Sequence, residues 1–155
     1  MAKKKRLVKD LTRVGQRVRA QRKKSGSPLW RRKAHAMWSL IIRRRAGACE
    51  ICGVTTKDKI LNAHHLLSKE KYQHLAYTLL NGFCTCQNCH AIDKFSCHMN
   101  PVWFTMWLRT FRPHVYTWVI QHVMEPTVYI TDFKVEYERL RKIAEAEGFI
   151  ERKTV

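Results

Sequence analysis

The chain has 155 residues and a formal charge of +18, from 30 Lys and Arg against 12 Asp and Glu. That length buries one ordinary core and contains no apolar run long enough to span a bilayer, so a helical membrane protein is excluded. Met1 is followed at once by Lys3, Lys4, Lys5 and Arg6 rather than by an apolar signal segment, which makes a reducing cytoplasm the expected compartment.

The charge is held unevenly. Residues 1–45 carry 17 basic side chains against the single acid Asp10, a balance of +16, and the remaining residues carry 13 basic and 11 acidic, a balance of +2. Such a block suits a phosphate backbone, because each neutralised phosphate releases condensed counterions. A solvating tail or a membrane-surface segment is the alternative. The expected contacts are Lys3, Lys4, Lys5, Arg6, Arg13, Arg17, Arg19, Arg22, Lys23 and Lys24 in the arm, then Arg31, Arg32, Lys33, Arg43, Arg44 and Arg45.

In chain order, Leu7, Leu11, Val14 and Val18 fall on one face of a basic helix over 7–24, weakened by Gly15. The run Ser25-Gly26-Ser27-Pro28 reads as a linker with Ser27 as N-cap, opening a second helix from 28 to about 45. Leu29 or Trp30, Ala34, Trp38 and Ile41 with Ile42 form its apolar side, expected to be core, and Gly47 ends it. A strand is expected over 60–67. Asn81-Gly82 then reads as a hairpin turn between 77–80 and a returning strand at 83–85, and a helix is expected to open at His90. Three further helices are expected, started by Asn100-Pro101, by Pro113 and by Thr131 as a cap, the last ending before Gly148. His114 and His122 are expected to be surface or satisfied core histidines.

The chemistry is concentrated in the middle. Cys49-x-x-Cys52 and Cys86-x-x-Cys89 are two turns of matched spacing, each able to bring two thiolates to one tetrahedral ion, and together they predict a closed structural Zn²⁺ site of four sulfurs. They clamp a 33-residue loop at its base. Cys84 and Cys97 are expected to be buried small hydrophobes outside the site. Within or beside the loop stand His64, His65, Asn81 and His90. A histidine base and one divalent cation together supply the needs of phosphodiester hydrolysis, a deprotonated water and positive charge on the non-bridging oxygens. Two adjacent strand histidines face opposite ways and so can serve different roles.

The order Cys49-x-x-Cys52, Ala63-His64-His65-Leu66, Asn81, Cys86-x-x-Cys89-His90 resembles the HNH endonuclease family of the four-cysteine zinc type. The continuation from Cys97-His98-Met99-Asn100-Pro101 to Trp107-Leu108 is similar to the segment C-terminal to the site in small phage proteins of that family. The resemblance covers roughly residues 29–108. It implies His65 as general base, His64 and His90 as ligands of a catalytic divalent metal, and Asn81 as a brace that holds the His65 ring. Related proteins often have an aspartate where His64 stands, a departure that favours Zn²⁺, Mn²⁺ or Ni²⁺ over strict Mg²⁺ dependence. Some place a third histidine one turn beyond the second ligand, where this chain has Lys94; His98 or water completes the set.

The resulting expectation is an α+β fold: a ββα-metal (HNH, His-Me finger) core stapled by zinc at 28–110, a basic arm at 1–27 and a helical extension at 111–155. Its expected activity is metal-dependent hydrolysis of double-stranded DNA in a host cytosol, with no membrane partner. Homodimerisation and partnership with phage packaging machinery stay open. The alternative is a zinc-containing nucleic-acid-binding protein with no catalysis.

Overall fold

The computed structural model describes residues 28–129 and 132–151. The expected helix over 7–24, its arm cations Lys3 to Lys24, the Ser27 cap and Thr131 lie outside them. Helix α1 (Pro28–Ala46) begins on Pro28 and stops at Gly47, whose φ of +66° only glycine adopts cheaply. It buries Ala34, Trp38, Ile41 and Ile42, while Arg31, Arg32, Lys33, Arg44 and Arg45 stay exposed. Strands β1 (Leu61–His65) and β2 (Gly82–Cys86) pair antiparallel, with His65 opposite Gly82, His64 opposite Phe83 and Leu61 opposite Cys86. Helices α2 (Pro101–Phe111), α3 (Pro113–His122) and α4 (Phe133–Ala146) complete an α+β architecture. No described helix is long and apolar enough to cross a membrane.

The two strands form a thin sheet between two apolar clusters. Strand alternation divides the residues between them: Cys84 and Cys86 join α1 and α4 through Trp38, Ile41, Leu140 and Ala144, whereas Phe83 joins α2 and α3 through Phe104, Leu108 and Val115. The same alternation acts on β1. Ala63 packs with the first cluster and His65 lies on Trp38, while His64 turns to the other face toward Phe104.

Several expectations are corrected. Asn81-Gly82 is not a hairpin turn, and 77–80 is not a strand; Leu79–Asn81 is a 3₁₀ turn entering β2, and the partner of β2 is β1. Gly82 is extended, with φ of −101°. Its lack of a side chain serves close approach instead, since a Cβ there would come within 2.5 Å of Ile42 Cγ1 and 3.0 Å of Trp38 Cζ2. The expected strand over 60–67 is shorter, and Ile60 is exposed. The expected helix at His90 is a single π-helical turn (Asn88–Ile92), ended by extended Asp93. The last helix has Asp132 as its N-cap, whose carboxylate accepts from Lys134 N and Val135 N.

Candidate metal centre and histidine cleft

The four expected sulfurs meet. Cys49, Cys52, Cys86 and Cys89 offer ligand atoms within 4.8 Å of one another, and Cys52 Sγ lies 3.8 Å from Cys86 Sγ. A tetrahedron of Zn–S bonds of roughly 2.3 Å has sulfur edges of about 3.8 Å. The first knuckle is fixed by backbone bonds: Cys49 N donates to Val54 O, Gly53 N to Cys49 O at φ of +75°, and Glu50 N to Cys84 O on β2. Glu50 also accepts from Cys84 N at 2.7 Å and pairs with Arg112, tying the knuckle to the α2–α3 junction. Burial pushes the Cys49 thiol up, but N–H groups of Cys52, Cys86 and Ile51 facing its sulfur outweigh this and bring it to about 7. Cys89 is held up by burial and then by the neighbouring thiols of Cys52 and Cys86. A cation among the four is what allows all of them to be thiolates together. The donor set, spacing and N–H support fit zinc.

Cys84 and Cys97 stand apart from this cluster, buried at 0% and 4% exposure. Burial raises their thiols to about 11 and about 12, so both remain protonated packing groups.

His64, His90 and His98 form a second convergent set, with ring nitrogens within 4.8 Å of one another. His90 Nε2 is 3.1 Å from His64 Nδ1 and 3.2 Å from His98 Nε2. His98 arrives by a chain reversal after the π-helical turn: Cys97 N donates to Cys89 O and His98 N to His90 O, so the two segments run paired and their rings meet. Burial, then repulsion from His90, His98 and His65, lowers His64 to about 3; burial and His98 lower His90. His64 and His90 therefore offer lone pairs at neutral pH, the state in which imidazole binds a metal.

His65 is held differently. Its Nε2–H donates to the Ala76 carbonyl at 2.9 Å, and because a carbonyl can only accept, Nδ1 is left as the unprotonated nitrogen. Burial lowers the ring to about 4 against the raising effect of that bond. The loop carrying Ala76 is fixed by Asn81, fully buried, which accepts from Leu67 N at 2.7 Å and donates to Leu67 O and Leu75 O at 3.1 Å. Trp38 completes the clamp: its ring stacks on His65 at 3.9 Å and 15°, and its Nε1–H donates to Thr78 O at 3.1 Å.

Both histidine groups open into one cleft of about 610 Å³, bordered also by His35, Lys69 and Tyr116. Comparison with protein-family models, curated proteins and solved structures finds no match.

Sequence reasoning assigned Trp38 to the core, where it is, but missed its contact with His65, and it did not single out His35. The available signal was their spacing of three on α1, which puts both on one helical face. Of the expected basic contacts, Arg43 is half-buried with Nε donating to Ser39 O, and Arg45 is engaged by Glu147 at 3.0 and 2.5 Å. His114 is exposed; His122 Nδ1–H donates to Trp118 O at 2.7 Å, a satisfied histidine as expected.

Proposed function

We propose that this chain is a metal-dependent endonuclease of the HNH, ββα-metal type that hydrolyses DNA phosphodiester bonds. The observation that carries the reading is the division of labour in one cleft. His65 has one ring nitrogen committed to Ala76 O and the other free to take a proton, while His64, His90 and His98 converge one strand residue away.

In this reading His64, His90 and His98 would hold a divalent cation, which would supply positive charge to the non-bridging oxygens of the scissile phosphate. His65 Nδ1 accepts the proton of the attacking water. The Ala76 carbonyl then stabilises the imidazolium through the N–H already pointed at it, and Asn81 and Trp38 keep the ring from turning. The three cysteine-flanked elements, knuckle, β2 and π-helical turn, are stapled by the four sulfurs, so His90 inherits its position from the structural zinc. The exposed Arg31, Arg32, Lys33 and Arg44 of α1 supply backbone contacts to the duplex.

A purely binding zinc module leaves the Ala76–His65 bond, the buried Asn81 and the three-imidazole cluster without a task. The discriminating experiment is incubation of supercoiled plasmid with the zinc-loaded protein across a series of added Mg²⁺, Mn²⁺, Ni²⁺ and Zn²⁺. Conversion to relaxed or linear DNA with at least one of them, abolished in His65→Ala, supports nuclease action. Tight DNA binding without conversion under any of the metals supports the binding module.

A further inference from the structure

We infer that His35 and Lys69 form a second phosphate subsite, on the wall of the cleft opposite the three-imidazole cluster, which holds the phosphate adjacent to the scissile one. The inference rests on nucleic acid being the substrate of this cleft.

The placement comes from strand alternation. His64 faces the imidazole cluster and Phe104, whereas His65 faces α1, so groups beyond His65 lie across the cleft from the cluster. His35 is there, its ring 5.6 Å from that of His65 and tilted by 14°, and Lys69 lines the same cleft from the loop after β1. A strand whose scissile phosphate sits at the cluster and His65 therefore passes its neighbouring phosphate over His35 and Lys69.

The chemistry of the two groups suits that anion. His35 Nδ1 is buried without a hydrogen-bond partner among the described residues, so an N–H on that side would have no acceptor. The ring proton belongs on Nε2, whose N–H can donate a hydrogen bond to a ligand oxygen. Burial, Lys69 and Arg31, against a raising effect of Glu70, keep the ring below its ordinary value, so His35 acts as a neutral donor. Lys69 forms no ion pair among the described residues. The neighbouring carboxylate, Glu70, also borders the cleft; it accepts from the Ser68 hydroxyl at 3.0 Å and feels the charges of Lys69 and Arg31, with no ion pair to either among the described residues. An imidazole with no hydrogen-bond partner at its buried nitrogen and a lysine with no ion pair among the described residues, both bordering one cleft, suit a phosphate diester.

The test is anisotropy of a short fluorescent duplex with the full-length, zinc-loaded protein, without added divalent metal, across a salt series at neutral pH. Lys69→Ala should weaken binding and flatten the slope of log K against log salt by about 0.9, the share of one phosphate contact. His35→Ala should weaken binding about tenfold, the scale of a hydrogen bond to a charged group, with the slope unchanged because the ring is neutral. His35→Gln, which keeps an N–H donor, should recover most of that loss. Wild-type affinity and slope in both Ala variants, with zinc content intact, would overturn the subsite. If His35→Ala loses zinc or unfolds, the Lys69→Ala slope alone decides. Should the wild type show these dependences yet leave plasmid uncut with every metal, the nuclease reading falls and the subsite stands.

Discussion

The imidazole of His65 lies flat on the indole of Trp38, with 3.9 Å between ring centres and 15° between planes. Trp38 is fully buried and anchored through Thr78 O, so the ring proposed as the base rests on a surface that cannot move independently of the core. Trp38→Ala is expected to destabilise the fold by about 3–5 kcal/mol, the usual cost of deleting a large buried aromatic. Trp38→Phe keeps a stacking face but loses the bond to Thr78 O. It should stay folded and zinc-loaded while cleavage falls at saturating DNA; circular dichroism, zinc content and turnover measured on one preparation check this.

Asn81 ties the loop down through one accepted and two donated bonds, those to Leu67 buried and that to Leu75 O partly buried. Asn81→Asp retains the acceptor for Leu67 N but turns the donor end into a second acceptor facing Leu67 O and Leu75 O. Each buried group left unsatisfied costs about 1–3 kcal/mol. Asn81→Asp should therefore lower the urea midpoint and reduce cleavage with little change in DNA affinity, because the Ala76 carbonyl that orients His65 is released. A variant with unchanged midpoint and rate would contradict the bracing role.

For the sulfur site, Cys86→Ser is expected to release zinc and lose the cooperative unfolding transition, since metal binding and folding are one event in such sites. Cys84→Ser buries a hydroxyl in an apolar cluster but should keep full zinc content. Zinc stoichiometry by a metallochromic dye distinguishes the two, and loss on replacing Cys84 with retention on replacing Cys86 would reverse the assignment.

His35 gives a pH dependence of known sign. Burial with Lys69 and Arg31 holds its folded-state value below the ordinary 6.5, so on acidification the unfolded chain takes up this proton before the folded chain does. Stability should fall as pH drops through 6.5 toward the depressed folded value. His35→Gln removes that contribution, so its urea midpoint should drop less than that of the wild type between about pH 7 and about pH 5. Equal drops would show that the ring titrates alike in both states.

The matched cysteine pairs were legible because spacing alone dictates which turns can share an ion, and α1 was legible because its buried residues recur at helical intervals. Asn81-Gly82 misled because a two-residue turn and a close approach demand the same small, permissive residues; only the proximity of Ile42 and Trp38, far upstream in the chain, separates them. His98 was reachable only as an alternative to water, since its place beside His90 depends on backbone pairing of 97–98 with 89–90 across a π-helical turn, which leaves no periodic pattern. The stack of Trp38 on His65 is a tertiary contact between α1 and β1 that local sequence does not encode. Thr131 and Asp132 both carry capping oxygens, and the choice between neighbours rests on where the helix begins.

The central claim is that His65 moves the proton while His64 holds the cation, although the two are adjacent in the chain. Plasmid cleavage by His65→Ala and by His64→Ala across a titration of added divalent metal tests it most directly. His65→Ala should lose roughly a hundredfold to ten-thousandfold in rate at every metal concentration, whereas His64→Ala should regain part of its activity as metal is raised. Metal rescue of His65→Ala, or wild-type cleavage by it, would contradict the account.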